Sequence, residues 1–272
     1  HYFFTFQNSN LDMRKVLFDK MGVAYEQLEE LAFLVFYGFS QEVQDKLEES
    51  TIQKILEKAF SDTDAVRLLS IEKDDYKKEL FSLYKDNIID QYYGLKIQYL
   101  YPFISGKDFT YIPSPYLVVN AVTKSMLNRV TFRDNKLRRA IGKEVIESYL
   151  YNIVRQLDTV TWISPELLYK KGKDKLLTSD VIAAEGDNVI FYDTKAITPS
   201  LKLRKFDVAE IEADIEIYAE DVIQIYNQIN NYLQGCFQLD KQYLKDKIFG
   251  IVVVLEDAVV SRNKVFDKVY EI

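Results

Sequence analysis

Apolar residues set the first rhythm of the chain. From about Leu11 to Ile97 they recur at helical spacing, as in Leu47, Ile52, Ile55, Leu56 and Phe60, then Val66, Leu69, Leu80, Leu83 and Tyr84, with charged positions between them. A stripe of that period buries one face of a helix, so this stretch predicts several helices, punctuated by Gly22, Gly38 and Gly94. Pro102, Gly106, Pro113 and Pro115 then interrupt the pattern. The boundary expected there separates a helical region, residues 1–113, from residues 114–272. Beyond it the rhythm changes. Helical spacing covers Tyr116–Arg129 and Leu137–Leu157, and β-like runs come after it at Thr159–Ile163, Leu176–Ala184 and Asn188–Ala196. A helix at Tyr218–Leu233 and an apolar run at Ile248–Leu255 come next, and the last residues, Val269–Ile272, read as β-like. Helix, three strands, helix and strand in that order predict an α/β fold with a small mixed central sheet flanked by helices.

Composition narrows the chemistry. The 272 residues, 48% hydrophobic and 28% charged, are enough to bury a core and are those of an ordinary globular chain. No stretch offers the roughly 20 predominantly apolar residues of a membrane span, so no membrane partner is expected. The one cysteine, Cys236, can form no internal disulfide, which suits a reducing, cytoplasmic setting. The one histidine is His1. Serine triads, Cys-His nucleophiles and His-ligated metals all need a residue the rest of the chain lacks. Catalysis here would have to run on carboxylates, Lys, Tyr and a metal held by oxygen.

One stretch collects those groups. Between Thr178 and Lys195, two β-like runs flank Gly186-Asp187, a pair suited to a two-residue hairpin turn with Gly at the position of positive φ. In that register Glu185 faces Asn188 and Asp180 faces Asp193. Directly opposed Cβ atoms lie about 4.5–5.5 Å apart, where like charges destabilise a sheet unless a cation joins them. Lys195 is two residues past Asp193 and shares its face. Two acids and an ammonium therefore converge, a set that suits Mg²⁺ or Mn²⁺ and phosphoryl chemistry. A solvated salt-bridge cluster fits the same spacing. Relief of the carboxylate repulsion predicts that alanine at Asp180 or Asp193 leaves stability at or above wild type.

Ser179-Asp180 and Asp193-Thr194-Lys195, with the order of elements around them, resemble the PD-(D/E)xK nuclease superfamily, the restriction-endonuclease-like fold. Ser179 stands where that family often has Pro. The resemblance spans about Leu137 to Leu255 and leaves residues 1–110 aside. It implies a metal-dependent nuclease acting on DNA more than RNA, in restriction, phage defence or repair. Asp180 and Asp193 would bind the metal, and Lys195 would position or activate water. It also implies a metal-associated Glu on the first core helix. There Ile146, Leu150, Ile153, Val154 and Leu157 form an apolar stripe; Glu147 lies roughly 75° from its centre and Glu144, the fallback, roughly 135°. Gln228 and Tyr232, on a helix whose core stripe reads Val222, Tyr226, Ile229 and Leu233, match a Q-x-x-x-Y element and would support the site. The rival reading is a non-catalytic nucleic-acid-binding or scaffolding module.

An acidic chain, net −7, needs local positive charge to hold a polyanion. Lys124, Arg129, Arg133, Lys136, Arg138, Arg139 and Lys143 share one stretch with a single acid, Asp134. Lys170, Lys171, Lys173 and Lys175 precede Asp180, and Lys202, Arg204 and Lys205 follow Lys195. These brackets predict the phosphate path. The acids from Asp207 to Asp221 read as a solvated helix start or a face for a basic partner. The acidic N-terminal helices are left to recognise a substrate feature, a partner protein or a second copy of the chain.

Overall fold

A computed structural model of the chain describes residues 2–83, 96–131, 134–196, 208–255 and 260–272. It is a mixed α/β structure with two compact units, His1–Asn135 and Lys136–Ile272. The first is largely helical. Its central helix, Tyr25–Gly38, buries Leu28, Leu31, Ala32 and Val35 along one face, and the helices Glu49–Ala59 and Pro115–Val122 pack against it. That second contact explains why the unit runs past the Pro-rich break to Asn135. A small sheet also forms, with β1 (Ser70–Glu72) parallel to β2 (Phe103–Ser105) and β2 antiparallel to β3 (Thr110–Tyr111). Strands this short leave no period in the sequence.

The second unit is built on a four-stranded sheet in the order β4 (Trp162–Pro165), β7 (Val181–Glu185), β8 (Asn188–Lys195), β9 (Ile248–Val254). The first three pair antiparallel, and β9 runs parallel to β8. Such a parallel return needs a crossover, here containing the long helix Val208–Leu233. β5 (Leu168–Lys171) and β6 (Asp174–Leu177) form a separate hairpin inserted between β4 and β7. The single strand expected over Leu176–Ala184 is thus two, parted at Thr178–Asp180. The last segment, Arg262–Glu271, is a helix and not a strand: Val265 and Val269, one helical turn apart, pack with Tyr218, Ala219 and Val222.

Ile182, Ala184, Val189 and Phe191 put alternate side chains of β7 and β8 into a core completed by Ile225 and Tyr232 of the long helix. Gly250 permits close approach there, because a Cβ on it would collide with Ile225. The expected core stripe of that helix is only partly right: Tyr226 is 61% exposed and Leu233 40%, whereas Asp221, Ile225, Gln228 and Tyr232 are buried. The inward face therefore carries polar groups. The first helix of this unit changes phase too. Asn135–Ile141 passes into a π-helical turn, Gly142–Ile146, before Glu147–Arg155 resumes the α form. An extra residue in the turn rotates the rest of the helix relative to Asn135–Ile141. Of the expected stripe, Ile146 and Val154 are buried, Ile153 is exposed, and Leu157, also exposed, lies past the helix end.

Candidate functional site

The β7–β8 hairpin has the register that its turn dictates. Gly186 takes φ +56°, and Glu185 pairs with Asn188 through to Val181 with Tyr192. The next step brings Asp180 opposite Asp193. The β4–β7 ladder, whose last pair is Pro165 with Val181, likewise carries Glu166 to the position beside Asp180. Three acids thus fall in one row across the open end of the sheet.

Each acid has a different surrounding. Asp180 lies just outside the ladder, where its Oδ2 accepts hydrogen bonds from the Thr194 N–H (2.6 Å) and hydroxyl (2.7 Å). Asp193 is 3% exposed, and its Oδ2 is 2.9 Å from Lys195 Nζ. That ammonium also lies 3.1 Å from Asp221 Oδ1 and donates to Gln224 Oε1 at 3.2 Å. Burial raises the pKa of both Asp193 and Asp221, the pairing with Lys195 working against it. Burial works to lower the Lys195 ammonium, but its hydrogen bond to Asp193 and the charges of Asp193 and Asp221 outweigh it and its pKa rises. Two acids sharing one ammonium keep that ammonium charged. Lys195 is therefore suited to orient water or stabilise negative charge, and not to remove a proton.

Glu147 comes directly after the π turn, whose Gly142 packs close to Ala196 just past β8. Its carboxyl is pushed up to about 8, first by burial and then by Asp180 and Glu166, with Lys143 opposing. Glu166 rises for the same reasons, burial first, and Lys143 Nζ reaches it only at 4.0 Å. Among the described residues no Lys or Arg pairs with Glu147 or Asp180. The carboxyl groups of Asp180, Asp193 and Glu147 offer hard oxygens, the donor type that Mg²⁺ or Mn²⁺ takes, with Asp193 already paired to Lys195. As they stand, no three His, Cys, Asp or Glu among the described residues gather tightly enough to hold an ion.

Gln228 and Tyr232 separate. Gln228 is buried and accepts a hydrogen bond from Ser179 Oγ, fixing the residue before Asp180. Tyr232 instead braces the loop after its helix: its hydroxyl receives the Tyr243 N–H (2.9 Å) and donates to Lys241 O (3.3 Å), while its ring packs with Phe191 and Phe237. It belongs to the core and not to the acid row. Asp221 and Glu166 were not anticipated. Asp221 shares the helical stripe of Gln228, a spacing that could have separated it from the acids before it. Glu166 carries no local signal, because strand pairing brings it in.

The basic stretch from Lys124 to Lys143 spans both units. Arg129 is a structural residue: its guanidinium donates to the carbonyls of Leu68 (3.2 Å) and Leu100 and lies 5.3 Å from the Tyr101 ring centre. Those bonds occupy the group expected on phosphate. Arg138 is half-buried, and desolvation lowers its pKa. Lys124, Lys136, Arg139 and Lys143 are exposed. Arg133, with Lys202, Arg204 and Lys205, lies outside the described residues. Lys173 is exposed at the β5–β6 turn, whereas Lys171 donates to Asn231 Oδ1 at 2.7 Å. Among the described residues no helix is long and apolar enough to cross a membrane. Set against known proteins, the chain matches no protein-family profile, no curated protein and no solved structure.

Proposed function

We propose that the second unit is a metal-dependent nuclease that hydrolyses phosphodiester bonds in DNA. The observation that carries this reading is the convergence of Asp180, Asp193, Lys195 and Glu147 at one end of the sheet, from the residue before β7, from β8 and from a helix, with acid charge in excess of its counter-charge. The resemblance to PD-(D/E)xK nucleases rests on the same residues, and the order β4-β7-β8-β9 with one parallel strand suits that family's core. Asp180, Asp193 and Glu147 would hold Mg²⁺ or Mn²⁺, which when bound polarises a phosphoryl oxygen and offsets charge on it. Lys195, kept protonated by Asp193 and Asp221, orients the attacking water and stabilises charge on the phosphoryl oxygens. Gln228 supports the site by holding Ser179.

A second reading, a non-catalytic module that binds nucleic acid, is favoured by the ties that Asp180 makes to Thr194 and Asp193 to Lys195. One assay separates the two. Linear and supercoiled DNA are incubated with the full chain in Mg²⁺, Mn²⁺ or EDTA, beside Asp193→Ala. The nuclease reading expects cleavage that needs the metal and is abolished in the variant, which lacks a carboxylate that holds it. Cleavage that survives EDTA, or full activity in Asp193→Ala, sinks it.

A further inference from the structure

The β5–β6 hairpin leaves the chain between Glu166 and Asp180, two members of the acid row. Its base is tied by Leu167 N–H to Thr178 Oγ1 (2.8 Å) and Thr178 N–H to Leu167 O (2.9 Å). Strand alternation divides it into two faces. On the inner face Tyr169 is buried, its ring centre 4.7 Å from that of Phe237 and its hydroxyl bonded by Asn231 Nδ2 at 2.8 Å. Lys171 is on this face, opposite Asp174 and bonded to the same Asn231. The anchored inner face holds the outer one in a set orientation.

The outer face pairs Leu168 with Leu177, then Lys170 with Lys175. Lys170, Lys175 and the turn residue Lys173 are exposed, and none has an ion pair or side-chain hydrogen bond among the described residues. Two ammonium groups directly opposed across a ladder destabilise it unless an anion lies between them. Lys175 is also close to the acids: five residues at about 3.4 Å each keep it within about 17 Å of Asp180.

We propose that this hairpin is an arm that grips the phosphate backbone of duplex DNA through the outward pair Lys170 and Lys175, with Lys173 at its tip, and that Lys171 is a structural anchor. The choice of DNA rests on the nuclease reading; the site itself rests on the free lysines and the anchored arm. Sequence spacing offers Lys170, Lys171, Lys173 and Lys175 alike, and only the two faces of the hairpin separate Lys171 from Lys170 and Lys175.

The test is binding of the full chain to a fluorescent duplex in EDTA across a salt series, for wild type, Lys170→Ala/Lys175→Ala and Lys171→Ala, each checked for folding by circular dichroism. Two lost phosphate contacts lower the slope of log affinity on log salt by about 1.8. Between about 50 and 200 mM salt the double variant therefore loses about tenfold less affinity than wild type does. Lys171→Ala is expected to keep the wild-type slope. A folded double variant with the wild-type slope overturns the arm, as does wild type that binds no duplex or binds only single strands. A slope that depends on the hairpin in a protein that cleaves nothing with Mg²⁺ or Mn²⁺ overturns the nuclease reading and leaves the arm standing.

Discussion

Two hairpins of the second unit obey one local rule with opposite charge. β5–β6 turns at Gly172, φ +63°, and β7–β8 at Gly186, φ +56°. Each register sets like charges face to face: Lys170 against Lys175 in the first, and Asp180 against Asp193 one step beyond the last ladder pair of the second. Their surroundings differ. The acids are drawn into the fold, Asp180 by Thr194 and Asp193 by Lys195, and the long helix adds Asp221. The outward lysines have no such ties among the described residues. Opposed like charge is unfavourable in both places. Burial decides that one is preorganised and the other an open surface.

The sharpest way to break this contrast is to remove one charge from each hairpin. Asp180→Ala leaves the Thr194 N–H without its side-chain acceptor and is expected to lose about 1–3 kcal/mol of stability. Lys175→Ala, on an exposed strand, is expected to stay within about 0.5 kcal/mol of wild type. Urea denaturation in EDTA measures both. This revises the expectation from carboxylate repulsion alone, because Asp180 holds two hydrogen bonds that the register did not reveal. Equal losses in the two variants would erase the distinction between a built-in charge and a free one.

The turns come next. Alanine at Gly172 or Gly186 must enter the left-handed region, at a cost of roughly 1–2 kcal/mol. β7–β8 carries the core, so Gly186→Ala should lower the global unfolding free energy by that full amount. The β5–β6 arm can open locally, so Gly172→Ala should show mainly as faster amide exchange over residues 168–177. A Gly172→Ala protein with an equal global loss would make the arm part of the cooperative core.

A pH dependence tests the acid row itself. Glu147 moves from an ordinary 4.5 to about 8 in the folded chain. Between those values the folded state binds more protons than the unfolded one, so its stability falls as pH rises through the window. Glu147→Gln carries no such proton. In EDTA its melting temperature should match wild type near the lower limit and exceed it increasingly towards the upper one. Parallel curves would mean that neither burial nor the neighbouring acids raise the Glu147 carboxyl.

Much of this was set by local spacing. A two-residue turn with Gly186 at its first position leaves one register, and period two then places Asp180, Asp193 and Lys195 together without knowledge of the rest of the chain. Tertiary structure decided what spacing cannot carry. Whether the stripe of Val222 and Tyr226 or that of Asp221 and Gln228 faces the sheet depends on which residues approach it. Gly250 lets Ile225 in, and the polar stripe turns inward with it. The π turn before Glu147 shifts the phase of its helix, a change that regular periodicity does not announce. Glu166 joins the acids through pairing of β4 with β7, and Arg129 is drawn to the carbonyls of Leu68 and Leu100, distant in sequence. A residue's own side chain and near neighbours determine which groups it can offer. Only the packing of distant segments determines which of those groups are paired and which are left exposed.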